Sequence, residues 1–140
     1  MIVGDGRAKE NLERVAAKHA PGRVHFMGWV DAAETKANLY ASAECLVLAR
    51  EGFPTVVGEA MACGTPVVSS RVGAVEEMII DGITGWLYSS GDQEALIAVL
   101  ANVISQPQLT ASMRPRVLAV TERRISPAAV AANLQACFAK

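Results

Sequence analysis

Two carboxylates, Glu51 and Glu59, stand eight positions apart in the stretch Arg-Glu-Gly-Phe-Pro-Thr-Val-Val-Gly-Glu-Ala-Met-Ala-Cys-Gly-Thr-Pro-Val-Val-Ser-Ser at positions 50–70. Such a pair could act as an acid/base couple, or each member could accept hydrogen bonds from adjacent hydroxyls. Glutamates are ordinarily solvated charges, but Glu59 resists that reading. Its neighbours Val56, Val57, Ala60, Met61, Ala62 and Cys63 are all apolar or small. A carboxylate in so apolar a segment must face a polar cleft or a partner. Gly52 lets backbone approach a ligand closely, and Pro54 stiffens the turn while offering no N–H. A helix starting near Val56 would present free backbone N–H groups to anionic or hydroxyl-bearing groups.

The surrounding pattern supplies the elements that must hold these residues. Ile2-Val3 reads as a short strand ending in Gly4-Asp5-Gly6, and Arg7 to His19 has helical spacing with Leu12 and Val15 on one face. Pro21-Gly22 breaks that helix, and Val24 to Val30 is expected as a strand. Asp31 is expected to cap a helix over 32–43 with Ala37, Leu39 and Tyr40 inward. Cys45 to Ala49 is a continuous apolar run, the pattern of a strand buried on both faces. A helix over 56–63 ending at Gly64, a strand at Pro66 to Ser69 and a short helix within 73–80 follow. Trp86 to Tyr88 is a further strand; helices are expected over 92–105 (capped by Asp92), 109–123 and 127–139. Strands alternating with helices on short loops predict one α/β domain, 1–140, with a parallel sheet covered by helices on both faces.

Composition narrows the function classes. The chain has 140 residues, is 51% hydrophobic and carries a net charge of −1, which suits one ordinary globular domain. With 13 basic against 14 acidic residues and few aromatics, no nucleic-acid surface is expected. Three cysteines (Cys45, Cys63, Cys137) in apolar runs are expected as reduced, buried thiols of a cytoplasmic protein. No apolar run approaches the length of a membrane span. His19 and His25 have no companion at metal-ligand spacing, so no metal is expected.

The run Glu51-Gly-Phe-Pro-x4-Glu59-Ala-Met-Ala-Cys-Gly-Thr-Pro-Val-Val resembles the E-x7-E signature of retaining, nucleotide-sugar-dependent glycosyltransferases of GT-B architecture, family 4 type. Ile2-Val3-Gly4-Asp5-Gly6, Phe26-Met27-Gly28-Trp29-Val30, Gly73-Ala74-Val75-Glu76-Glu77 and Asp81-Gly82-Ile83-Thr84-Gly85 resemble further segments of that family, in order, over about residues 1 to 100. The resemblance implies the Rossmann-like, donor-binding C-terminal half of a GT-B fold. It implies that Glu59 holds the ribose hydroxyls and that Glu51, the catalytic-side carboxylate, contacts donor-sugar hydroxyls. Gly52, Phe53 and Pro54 would shape the sugar and phosphate site, and Thr55 and Val56 would offer N–H groups to a phosphate. The Gly4–Gly6 turn would line the cleft, with Trp29 and Val30 at the base edge. The implied donor is a UDP-, GDP- or ADP-sugar, with no separate cofactor and no tightly bound metal.

The same resemblance implies parts that these residues do not include: a first strand with an Arg and a Lys, and an acceptor-binding N-terminal domain. In a sheet ordered 3-2-1-4-5-6 that first strand is central, so its neighbours would face a gap, pair directly, or expose edges open to a second copy. Arg7 and Arg71 are nearby cations, read as solvated surface arginines. Ala74 and Glu76 depart from the family's frequent Gly and Pro. The full enzyme would be cytoplasmic or peripheral to a membrane. The rival expectation is a non-catalytic Rossmann-like binding or oligomerisation module.

Overall fold

The computed structural model describes residues 1–49 and 54–138. They fall into two compact units, Met1–Lys36 and Ala37–Lys140, with the boundary inside a helix.

The first unit holds helix α1 (Lys9–His19) and the start of α2 (Ala33–Ser42). Asp5 and Gly6 lead into α1, and Lys9 reaches back to Asp5 at 2.9 Å. The expected strands at Ile2-Val3 and Val24–Val30 shrink to one parallel bridge between Ile2 and Phe26. Three backbone bonds define it: Ile2 N–H to His25 O, Met27 N–H to Ile2 O, and Gly4 N–H to Gly28 O, at 2.7–2.9 Å. A parallel pair needs apolar cover on its faces to extend, and here the cover is thin. Leu12 and Val15, which share the apolar face of α1, are 42% and 48% exposed, and Ile2, Val3 and Met27 are exposed as well. Neither α1 nor α2 has a fully buried residue, and Ala37 of α2 is exposed.

The second unit is a three-stranded parallel sheet, order β1-β2-β3, from β1 (Leu46–Leu48), β2 (Val67–Ser70) and β3 (Gly85–Tyr88). Its helices are α3 (Pro54–Ala62), α4 (Val75–Met78), α5 (Gln93–Ser105), α6 (Pro107–Arg124) and α7 (Pro127–Phe138). All four residues of the middle strand β2 are buried. Strand β1 is less covered than its run of apolar residues suggests: Val47 is 41% exposed, because among the described residues β1 is an edge of this sheet and pairs with β2 alone. Val57, Ala60, Met61, Val67, Val75, Ile79, Met113 and Val117 make the core, joining α3, β2, α4 and α6. Each large side chain so buried contributes about 1.5–3 kcal/mol. Cys45 and Cys63 are half-buried free thiols at the margin of this core.

Local chemistry sets the element ends. Pro54 takes the first helical position of α3, where a missing N–H costs nothing, so the helix begins two residues earlier than its apolar pattern indicates. At the other end Thr65 N–H bonds to Ala60 O and Gly64 N–H to Met61 O. With Gly64 at φ +73° this is the paired-bond left-handed cap that turns the chain straight into β2. Asp92 caps α5 through Ala95 N–H, as expected. Gly85 has a different role: a Cβ there would overlap the Val67 backbone, so only glycine lets β3 lie against β2.

Candidate functional site

In an open parallel sheet, ligands bind beyond the carboxyl ends of the strands. Those ends here are Ala49 after β1, Ser70 on β2 and Tyr88 on β3. The Tyr88 hydroxyl donates to Ala49 O at 3.3 Å. Since β2 lies between β1 and β3, this bond reaches across the carboxyl end of the middle strand. On that strand the Ser70 hydroxyl is wholly buried and has no hydrogen-bond partner among the described residues. An unpaired buried hydroxyl costs about 1–3 kcal/mol, and such local inconsistencies gather at functional sites.

Helix α3 leaves the same end of the sheet, after β1. Its first N–H groups, from Thr55 and Val56, have no partner within the helix by construction. Thr55 is exposed and Val56 half-buried. One turn on, Glu59 is half-buried between fully buried Val57 and Ala60. The polar partner that its apolar helix demands is present: the Tyr40 hydroxyl donates to Glu59 Oε2 at 3.0 Å. Burial, then the Glu59 bond, push the Tyr40 phenol up to about 12, so it remains a proton donor throughout the physiological range. Tyr40 is itself tied down, because the fully buried Thr65 hydroxyl donates to its backbone carbonyl at 2.6 Å. Just beyond, Arg114 of α6 donates to Ala43 O at 2.6 Å and the Thr110 hydroxyl lies 2.6 Å from Glu44 Oε2. The C-terminal end of α2 is therefore held by α3 and α6 together.

The residues expected at the site divide between the units. Thr55, Val56 and Glu59 share the first half of α3, and Pro54 begins it. Glu51, Gly52 and Phe53 lie outside the described residues. Gly4, Gly6, Trp29 and Val30 belong to the first unit, where the Gly4 N–H bond to Gly28 O sets the glycine turn beside the residue preceding Trp29. Trp29 is 75% exposed there and Val30 half-buried. An open hollow of about 650 Å³ is lined by Asp5, Gly6, Arg7, Lys9, Glu10 and Glu13. Arg7 is exposed at its edge. Arg71, read as a solvated surface arginine, is exposed and pairs with Asp81 at 2.7 Å, while the other Asp81 oxygen accepts from Leu87 N–H. A pair this exposed is worth at most about 1 kcal/mol.

Tyr40 and Ser70 are the two site features that sequence reasoning did not assign. Tyr40 was legible as an inward residue, and an isolated carboxylate on an apolar helix signalled that some donor must meet it; which donor depends on the packing of α2 on α3. Nothing in the local pattern marks Ser70, whose significance lies in its burial at a strand end.

The described geometry has counterparts among known proteins. The family model described as "Glycosyl transferases group 1" matches residues 1–106. N-acetyl-alpha-D-glucosaminyl L-malate synthase of Bacillus anthracis is 34% identical over 119 residues, 83% of this chain and 30% of the relative. Phosphatidyl-myo-inositol mannosyltransferase of Mycolicibacterium smegmatis is 37% identical over 109 residues, 76% of this chain and 28% of the relative. Among solved structures, Anabaena HepE in complex with UDP-glucose superposes with a TM-score of 0.76 at 27% identity, covering 98% of this chain and 39% of that one. The chain thus spans about a third of the length of the proteins it matches.

Proposed function

The chain belongs to the glycosyl transferases group 1 family, and from that premise we propose that it is the donor-binding half of a retaining glycosyltransferase of GT-B architecture. The observation that carries the reading is the half-buried Glu59 carboxylate, held by a phenol on an otherwise apolar helix at the carboxyl end of a parallel sheet. Two vicinal hydroxyls of a ribose are the complement of such a carboxylate, which accepts without donating. In this reading Glu59 holds the ribose, and Glu51 is the catalytic-side group on the donor sugar. Gly52, Phe53 and Pro54 shape the space around the sugar and phosphates. The Thr55 and Val56 N–H groups, with the positive end of the α3 dipole, face the diphosphate that leaves during transfer.

The donor is a UDP-, GDP- or ADP-linked hexose, and HepE bound to UDP-glucose supports the uridine branch by analogy. No further cofactor or metal takes part. An acceptor-binding domain of the whole enzyme supplies the second substrate, in the cytoplasm or at a membrane surface; the relative named phosphatidyl-myo-inositol mannosyltransferase, after a lipid, supports the latter. Titration calorimetry of the chain with UDP-glucose, GDP-mannose and ADP-glucose tests the reading. At least one binds weakly, and Glu59→Ala abolishes that heat; absence of heat with all three would end the proposal.

The exposed Val47 on edge strand β1 favours a second reading, a non-catalytic module that assembles through its sheet edge. Light scattering across concentrations decides it: self-association without nucleotide binding supports it, and a strict monomer that binds a nucleotide sugar excludes it.

A further inference from the structure

We propose that Tyr40 is a positioning residue for Glu59, so that its phenol sets how strongly the site distinguishes a ribonucleotide from a 2′-deoxyribonucleotide. The inference rests on the reading of Glu59 as the ribose-holding group and goes beyond it.

Tyr40 is gripped at two points by one segment. Its hydroxyl donates to Glu59 Oε2 at 3.0 Å, and its carbonyl accepts from Thr65, the residue that closes the cap of the same helix, at 2.6 Å. Helix α3 thereby meets Tyr40 from its body and from its end. Glu59 is the residue that gains. A glutamate side chain has three rotatable bonds and loses considerable freedom on being ordered. A donor fixed at one carboxylate oxygen lowers that cost before any ligand arrives, which is how a rigid supporting shell raises affinity. The bond is charge-assisted, stronger than one between neutral groups. Its donor persists at physiological pH because burial and the carboxylate both hold the phenol in its neutral form. A purely structural filler at this position would need only the ring. The hydroxyl is used on the one carboxylate of α3.

The Tyr40 bond takes one lone-pair direction of Glu59 Oε2, of the about four that a carboxylate offers. Loss of the phenol O–H would remove one restraint on the carboxylate, and the ligand would have to supply that part of its ordering. That penalty falls on the hydroxyl-dependent part of binding and leaves phosphate and base contacts unchanged.

The test uses the full chain with UDP, GDP and ADP and their 2′-deoxy counterparts, measuring the ratio of ribo- to deoxyribonucleotide affinity. Wild type prefers the ribonucleotide. Tyr40→Phe keeps the ring and lowers that preference about three- to tenfold, less than the whole of one hydrogen bond to a charged group, because the ligand itself re-orders the carboxylate; the deoxyribonucleotide, which keeps its 3′-hydroxyl, loses less affinity. In a Glu59→Gln background, Tyr40→Phe has no additional effect on the ratio. A drop of equal size for both sugars, or additivity with Glu59→Gln, would overturn the proposal by making Tyr40 merely structural. Ring-labelled tyrosine in the unmutated chain gives an independent readout: the Tyr40 resonance moves further with ribonucleotide than with the deoxy form, and an equal shift with both, or none, overturns the proposal. The two ideas fail separately. If no ribonucleotide binds wild type, the reading of Glu59 falls and Tyr40 with it; if binding needs Glu59 but ignores the Tyr40 hydroxyl, only this inference falls.

Discussion

The two units of this chain carry similar apolar patterns and use them differently. In Ala37–Lys140 the pattern becomes a core: β2 is buried along its whole length, and Val57, Met61, Met113 and Val117 are sealed between α3, β2 and α6. In Met1–Lys36 the corresponding strands meet at a single bridge, and Leu12 and Val15 on α1 remain nearly half exposed. The difference shows what periodicity alone reports. It identifies which face of an element is apolar, and the surface that will cover that face must come from elsewhere. A unit with little buried apolar area and few ladder bonds sits at the low end of local stability.

The comparison can be broken or sharpened by substitution. The largest effect is expected at Gly85, where an added Cβ would overlap the Val67 backbone. Gly85→Ala forces β3 away from β2 and costs about 4 kcal/mol or more, in the exceptional class of backbone conflicts; urea titration reads this as a collapse of the midpoint, and a midpoint near wild type would show that the sheet tolerates separation. Met61→Ala removes a fully buried core side chain and costs about 3 kcal/mol. Leu12→Ala in the first unit costs less than about 1 kcal/mol in the same titration, because surface substitutions of this kind leave no sealed cavity. Equal costs for Met61 and Leu12 would abolish the distinction between the units.

A further effect is a matter of pH. Tyr40 holds its proton to about 12 when folded, against an ordinary value of 10.0. Between those values the folded chain binds more protons than the unfolded one, so stability is complete below about pH 10 and falls as pH rises toward 12. Burial raises Tyr88 in the same direction. Tyr40→Phe therefore flattens part of this alkaline loss, seen as a weaker pH dependence of the denaturation midpoint; an unchanged slope would mean that the Tyr40 phenol titrates as it does in water.

Much of the second unit was legible because its signals are local and mutually consistent. Gly64 stops α3, Asp92 starts α5, and Pro66-Val67-Val68-Ser69 between them reads as a buried strand, which the structure shifts by one residue to Val67–Ser70. Glu59 was legible for the opposite reason, as a charge inconsistent with its neighbours. What escaped depends on contacts distant in the chain. The Tyr40–Glu59 bond joins residues 19 positions apart, and the Tyr88–Ala49 bond joins residues 39 apart. The exposure of Val47 follows from β1 being a sheet edge, and the shortness of the strands at Ile2 and Phe26 from the thin cover over them; neither is written in the residues themselves.

The central claim, that the start of α3 and Glu59 receive a nucleotide sugar, is tested most directly by hydrogen exchange of the chain with saturating UDP-glucose, GDP-mannose or ADP-glucose. The account predicts that one of these donors slows exchange in peptides covering 54–62, and that Glu59→Ala removes the protection while leaving β2 as slow as before. Unchanged exchange over 54–62 with all three donors would contradict it.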